Sequence, residues 1–179
     1  MCDVPENEEV EKSRIEREAH TYKMIHALPK RYFDLMNNGS ALAKQGEFKK
    51  AAETFTEARE EVGKILQQLL EMPKEPKAQM WQFFGILWAF KLIKSVFYYF
   101  LAQSETVQTK KEREALLMAA LGAQRVGADM IPAFETLNRS FKGEDQDLLP
   151  MLGEAIRNYE ERQRILEKAL AEQGLDFHF

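Results

Sequence analysis

A chain of 179 residues, 45% hydrophobic and 30% charged, with 9 Gly and 6 Pro, has the make-up of one soluble domain with one core, large enough to stand without a disulfide or a structural metal. Its single cysteine, Cys2, excludes a disulfide framework and, with no apolar leader beside it, points to a reducing, cytoplasmic setting. The net charge of -4 is carried by the leading segment: residues 1–18 hold seven acids against three bases, and the rest balances 22 against 22, which lacks the basic footprint of a nucleic-acid binder.

Every long segment fits the helical period and none gives a bounded strand alternation, so an all-α bundle of about six helices is expected. Residues 1–28 form an acidic helical arm: Pro5 and the acids after it open a helix whose apolar stripe runs through Ile15, Ala19, Tyr22 and Ile25. Residues 29–179 form the all-helical domain. Its first helix starts at Pro29 and carries Leu35, Leu42 and Ala43. The next spans Phe48 to Met72 on Ala51, Phe55, Ala58, Val62, Ile65 and Leu69, and Pro73 and Pro76 end it.

A central helix over 77–103 has no acid and holds nine of the chain's 19 aromatics. Lys91 and Lys94 interrupt its apolar run, which speaks for a core helix over a membrane span. Lys77, Lys91, Lys94, Ser95 and Tyr98 fall in one sector, a wet seam opposite Ile86, Phe90, Ile93, Val96, Phe97 and Phe100. A further helix runs from Lys110 to Met130, with Pro132 kinking or splitting it. Its row of Ala115, Ala119, Ala123 and Gly127 is expected to pack closely against Gly85 and Ala89. A last helix covers Pro150 to Glu172, followed by a tail in which Phe177 and Phe179 are expected to fold back.

The stretch Leu35, Gly39, Leu42, Gly46, Phe48, Ala51, Phe55, Ala58 has the spacing G-x-x-L-x-x-x-G-x-F-x-x-A-x-x-x-F-x-x-A. It resembles one tetratricopeptide repeat over residues 32–65. Gly39 and Ala51 would let two antiparallel helices approach, Gly46 would make the turn, and Phe55 would fill the space beneath. Leu35 and Leu42 replace the family's usual aromatics, and Gly63 stands where a proline would end the unit. The resemblance implies a protein-binding scaffold whose groove is lined by the first helix, here by Phe33, Met36, Ser40, Ala43 and Lys44. Family members that clamp acidic tails use a Lys three residues before the helix glycine and an Asn after it. Met36 and Ser40 occupy those places, so an apolar or amphipathic partner segment is expected.

The sequence offers little for catalysis. His20, His26 and His178 do not form a metal set, and no phosphate loop or nucleophile elbow is present. Arg14 and His20 are similar to the Arg/His pair of the helical HEPN-type ribonucleases. No enzyme activity and no cofactor are therefore expected. A non-enzymatic protein-interaction module is the reading, with a membrane- or lipid-associated protein, a homo-oligomer subunit and a helical ribonuclease as rivals.

Overall fold

The computed structural model describes residues 30–71, 78–140 and 148–175, and they hold helices and short connections with no strand among them. Five helices follow in chain order: α1 over residues 30–44, α2 Phe48–Glu71, α3 Ala78–Ser104, α4 Lys110–Ser140 and α5 Leu148–Glu172. The class is all-α, as expected, and the count is five rather than about six among the described residues. The arm over 1–28, with its Arg14 and His20, lies outside them, as do Phe177 and Phe179. α4 runs ten residues past the expected end at Met130, unsplit by Pro132. Met130 and Ile131 pack on Leu87 and Phe90 and hold the helix through this point.

Local chemistry fixes the connections. Gly46 has φ 79°, and Glu47 N–H donates to Leu42 O (2.9 Å) while Gly46 N–H donates to Ala43 O (3.0 Å). This pair of bonds closes α1 and needs a left-handed residue that glycine adopts without strain. α5 ends the same way at Gly174, φ 75°, and Leu175 returns to pack near Leu166 and Leu170. At the start of α4, Thr109 and Glu112 exchange side-chain and backbone bonds in a capping box.

α1 and α2 form an antiparallel hairpin, since Gly39 meets Phe55 near the turn and Arg31 reaches Glu61 farther from it. A methyl group on Gly39 would stand 2.7 Å from Cε1 of Phe55. The helix passes straight through Asn38 and Gly39, and the glycine serves close approach rather than a helix stop. Ala51, Ala52, Ala58 and Val62 are fully buried on the facing side of α2, with Phe55 between them.

α3 takes part in all three core clusters. Trp88 and Ala102 join the α1–α2 core, Leu87 and Phe90 meet the middle of α4 and α5, and Phe97 packs among Leu117, Ala120, Leu121, Leu166 and Leu170. The inward face of α4 is thus Leu117, Ala120, Leu121 and Gln124, not the expected small-residue row. Ala115 is exposed, Ala119 and Ala123 are half-buried, Gly85 has open space where a side chain would go, and Gly127 approaches Tyr159 and Ile93. Leu117 and Leu121, two positions off the row, offered more apolar surface to bury, and that decided the rotation of the helix.

Two substitutions test the hairpin. Gly39→Ala should destabilise by about 1 to 3 kcal/mol through overpacking, although a helix-interior Gly→Ala exchange in open space gains up to about 1 kcal/mol. Phe55→Ala should cost about 3 to 5 kcal/mol. In urea unfolding, Gly39→Ala made on the Phe55→Ala background should lose its penalty, because the colliding ring is gone.

Candidate functional site

The side chains with unusual environments gather where α1, α3 and α5 come together. Tyr32, from α1, is buried and its hydroxyl donates to Lys91 O at 3.2 Å. Its ring meets that of Trp88 edge-on at 6.0 Å. The Lys91 Nζ stands 4.6 Å from the centre of the Phe33 ring and 5.6 Å from those of Tyr32 and Trp88, so three aromatic faces surround one ammonium. One helical turn on, Lys94 is half-buried. No carboxylate lies within ion-pair distance of Lys91 or Lys94 among the described residues.

α5 adds a third cation. Arg162 is 2% exposed. Its Nε donates to Gln124 Oε1 at 3.1 Å, and Gln124 Nε2 donates in turn to Tyr159 O at 2.8 Å. The guanidinium lies 6.0 Å from the Phe97 ring centre. Among the described residues its Nη2 has no hydrogen-bond partner, and neither has the buried Trp88 Nε1. Each unmet donor of this kind costs roughly 1 to 3 kcal/mol.

Burial lowers the pKa of Lys91, with the nearby Lys94 acting in the same direction and Glu154 against it. Lys94 is lowered by burial and then by Arg162, while Glu154 and Glu161 oppose. Arg162 is lowered by burial, with Tyr98, Tyr32, Tyr159 and Glu161 opposing. Burial raises the Tyr32 and Tyr98 hydroxyls, so both remain neutral donors well above neutral pH. Glu154 and Glu161, the two acids that act on these cations, are exposed.

Of the five residues expected to line a groove, Phe33 is exposed at 39% and Lys44 is exposed, while Ser40 and Ala43 are half-buried. The Ser40 hydroxyl is turned back to Met36 O at 2.9 Å. Met36 is buried with Tyr32 and Phe55 in the hairpin core, so it presents no free surface. Leu35 and Leu42 pack against that core, as expected of the inward face. The expected seam on α3 is drier than its pattern implies: Ser95 is fully buried and bonds Leu92 O, and Tyr98 stacks on Phe55. Arg162 and Glu61 were missed. Glu61 is buried on α2 and pairs with Lys64 at 2.9 Å and Arg31 at 3.7 Å. A charged residue on an apolar stripe, such as Arg162 between Tyr159 and Leu166, was the available signal.

Lys94 supplies a pH test. Its folded pKa is depressed, so between that value and the ordinary lysine value the unfolded chain binds more protons, and stability rises with pH across this window. Lys94→Met keeps the stem and removes the charge. It should raise Tm at pH 7, and this gain should shrink as the pH rises toward the ordinary lysine range. A gain independent of pH would trace to packing instead.

Comparison of the chain with protein-family models, with curated proteins and with solved structures returns no match.

Proposed function

We propose that this protein is a non-enzymatic helical scaffold that binds a segment of a protein partner along the side shared by α1, α3 and α5. The observation that carries the reading is the junction of these helices. Tyr32 of α1 bonds the backbone of α3 and feels the charge of Arg162 and Glu154 on α5, so alternate helices of the chain share a side. That arrangement supports kinship in design with stacked tetratricopeptide-like hairpins, as does the Gly39, Gly46 and Phe55 geometry of the first. Phe33 is the apolar anchor of this side, and Lys44 supplies a rim charge that acts on association rate more than on affinity.

One observation favours a second reading. Phe84–Ser104 is long and apolar enough to cross a membrane by length and composition, and 33% of its most apolar window is buried inside the protein. Against a membrane role, α2 and α4 flank this helix and its remaining sector carries Lys91 and Lys94.

Cross-linking mass spectrometry from native lysate tests the proposal. Links from Lys44, Lys91 or Lys94 to another protein are expected, and Phe33→Ser should weaken that partner by about 2 kcal/mol with the far-ultraviolet circular dichroism unchanged. Links solely between copies of this chain would replace the scaffold with a homo-oligomer subunit. Flotation with liposomes and no linked protein would replace it with a membrane-associated one.

A further inference from the structure

The outward faces of the helices differ in kind. Glu53, Glu57, Glu60 and Lys64 look out from α2, and Glu154, Arg157, Glu161 and Arg164 from α5, as a helix face in water requires. α4 departs from them. Ala115 to Gln124 carries no charge at all, and the outward positions of this stretch are Ala115, Met118 and Gly122, continued by Val126. Met118 is 41% exposed and Val126 54%, and nothing stands within 4 Å of where a Gly122 side chain would begin. α3 and α5, the helices that α4 packs against, leave this side open.

The charges at the two ends of the face complement each other when the helix is turned round. Exposed residues recur along α4 at alternate spacings of four and three, at Lys111, Ala115, Met118, Gly122, Arg125 and Asp129. Two helices seat their side chains between one another along a repeat of this kind. In a second copy running antiparallel, with its Gly122 opposite Met118, the same twofold sets Lys111 opposite Asp129 and Ala115 opposite Arg125. Met118 then has room over the glycine, the Arg125 stem lies along Ala115, and Lys111 meets a carboxylate. Within one copy, Lys111, Arg125 and Asp129 have no ion pair among the described residues. A parallel pairing would set each of these three charges against its own like, which opposes association.

We propose that two copies of this chain associate antiparallel through the outward face of α4, with Met118 of each seated over Gly122 of the other and Lys111 facing Asp129. The pairing uses no residue of the scaffold reading and does not rest on it. Its uncharged seam is about three helical turns long, which places it among weak, concentration-dependent associations.

Sedimentation equilibrium of the full chain over about a hundredfold range of concentration tests the pairing. The mean mass should rise from that of one chain toward twice that value and no further, as a closed twofold requires. Gly122→Lys should abolish the rise and leave Tm unchanged or higher, because the new side chain enters open space and glycine is the poorer helix former. Lys111→Asp and Asp129→Lys, each alone, should lower the association constant about tenfold at low salt. Mixing these two variants, or combining both changes in one chain, should restore it, because the altered charges meet across the seam. The mass of one chain at every concentration overturns the proposal, and so does a rise that survives Gly122→Lys. Undiminished association of both charge variants overturns the antiparallel seam, and masses that climb past two copies overturn the twofold. Cross-links from Lys110 or Lys111, in a mixture of light and heavy chains, identify other occupants. Links to Lys12 of the same copy assign the face to the leading segment and links to a different protein assign it to that partner; either, with the mass of one chain, overturns the pairing. Association of copies with no other protein linked keeps the pairing and removes the scaffold. A protein linked through Lys44, Lys91 or Lys94, with the mass of one chain, does the reverse.

Discussion

α3 carries apolar or aromatic residues around almost its whole circumference, and a helix of that kind is stable in water only when its neighbours cover it. The α1–α2 hairpin takes one side with Trp88, Tyr99 and Ala102, and α4 with α5 takes the other with Leu87, Phe90 and Phe97. The three core clusters are therefore not independent, since each includes residues of one helix. Covering α3 also brings Lys91 and Lys94 into partial burial, because they lie on the remaining sector of the same element. The electrostatics of the junction follow from the packing.

Lys91 shows how a cation is tolerated there. Its ammonium faces three rings, and such contacts strengthen when water is withdrawn. Lys94 has no comparable arrangement and sits in the field of Arg162, which adds a repulsive contribution to the cost of burial. Arg162 depends on the Gln124 bridge, which ties α4 to α5 through polar contacts in an otherwise apolar interior. Removing Gln124 would leave a buried guanidinium with both Nε and Nη2 unmet, and that is a larger loss than the bridge's own net contribution.

The helices were legible in the sequence wherever a wide apolar stripe met a clear stop. α2 shows this best: its buried residues are the periodic set from Ala51 to Leu69 with Ala52, Thr54 and Glu61 added. The hairpin turn was legible because Gly46 and Gly39 have physical tasks that few other residues perform. Helix rotation was less so. On α4 two rows, Ala115–Gly127 and Leu117–Gln124, are each consistent with the period, and what α3 and α5 offer opposite them decides between them. Met36 illustrates the same limit, since a spacing that places it on one face with Phe33 says nothing of how far the hairpin closes over it. The junction was only half readable: the lysines stood out on α3, but a single Arg162 on a distant helix gives no local sign that it will be drawn into their company.

The unmet donors carry a cost. Breaking a buried polar network is costly, yet replacing its members with apolar groups of similar volume is often neutral or stabilising. Stability alone therefore gives no reason for Arg162, Trp88 and Lys94 to stand where leucine, phenylalanine and methionine would fill the same space without an unsatisfied proton. Nor does the bridge to Gln124 explain them, since it engages Nε and leaves Nη2 and the indole N–H open.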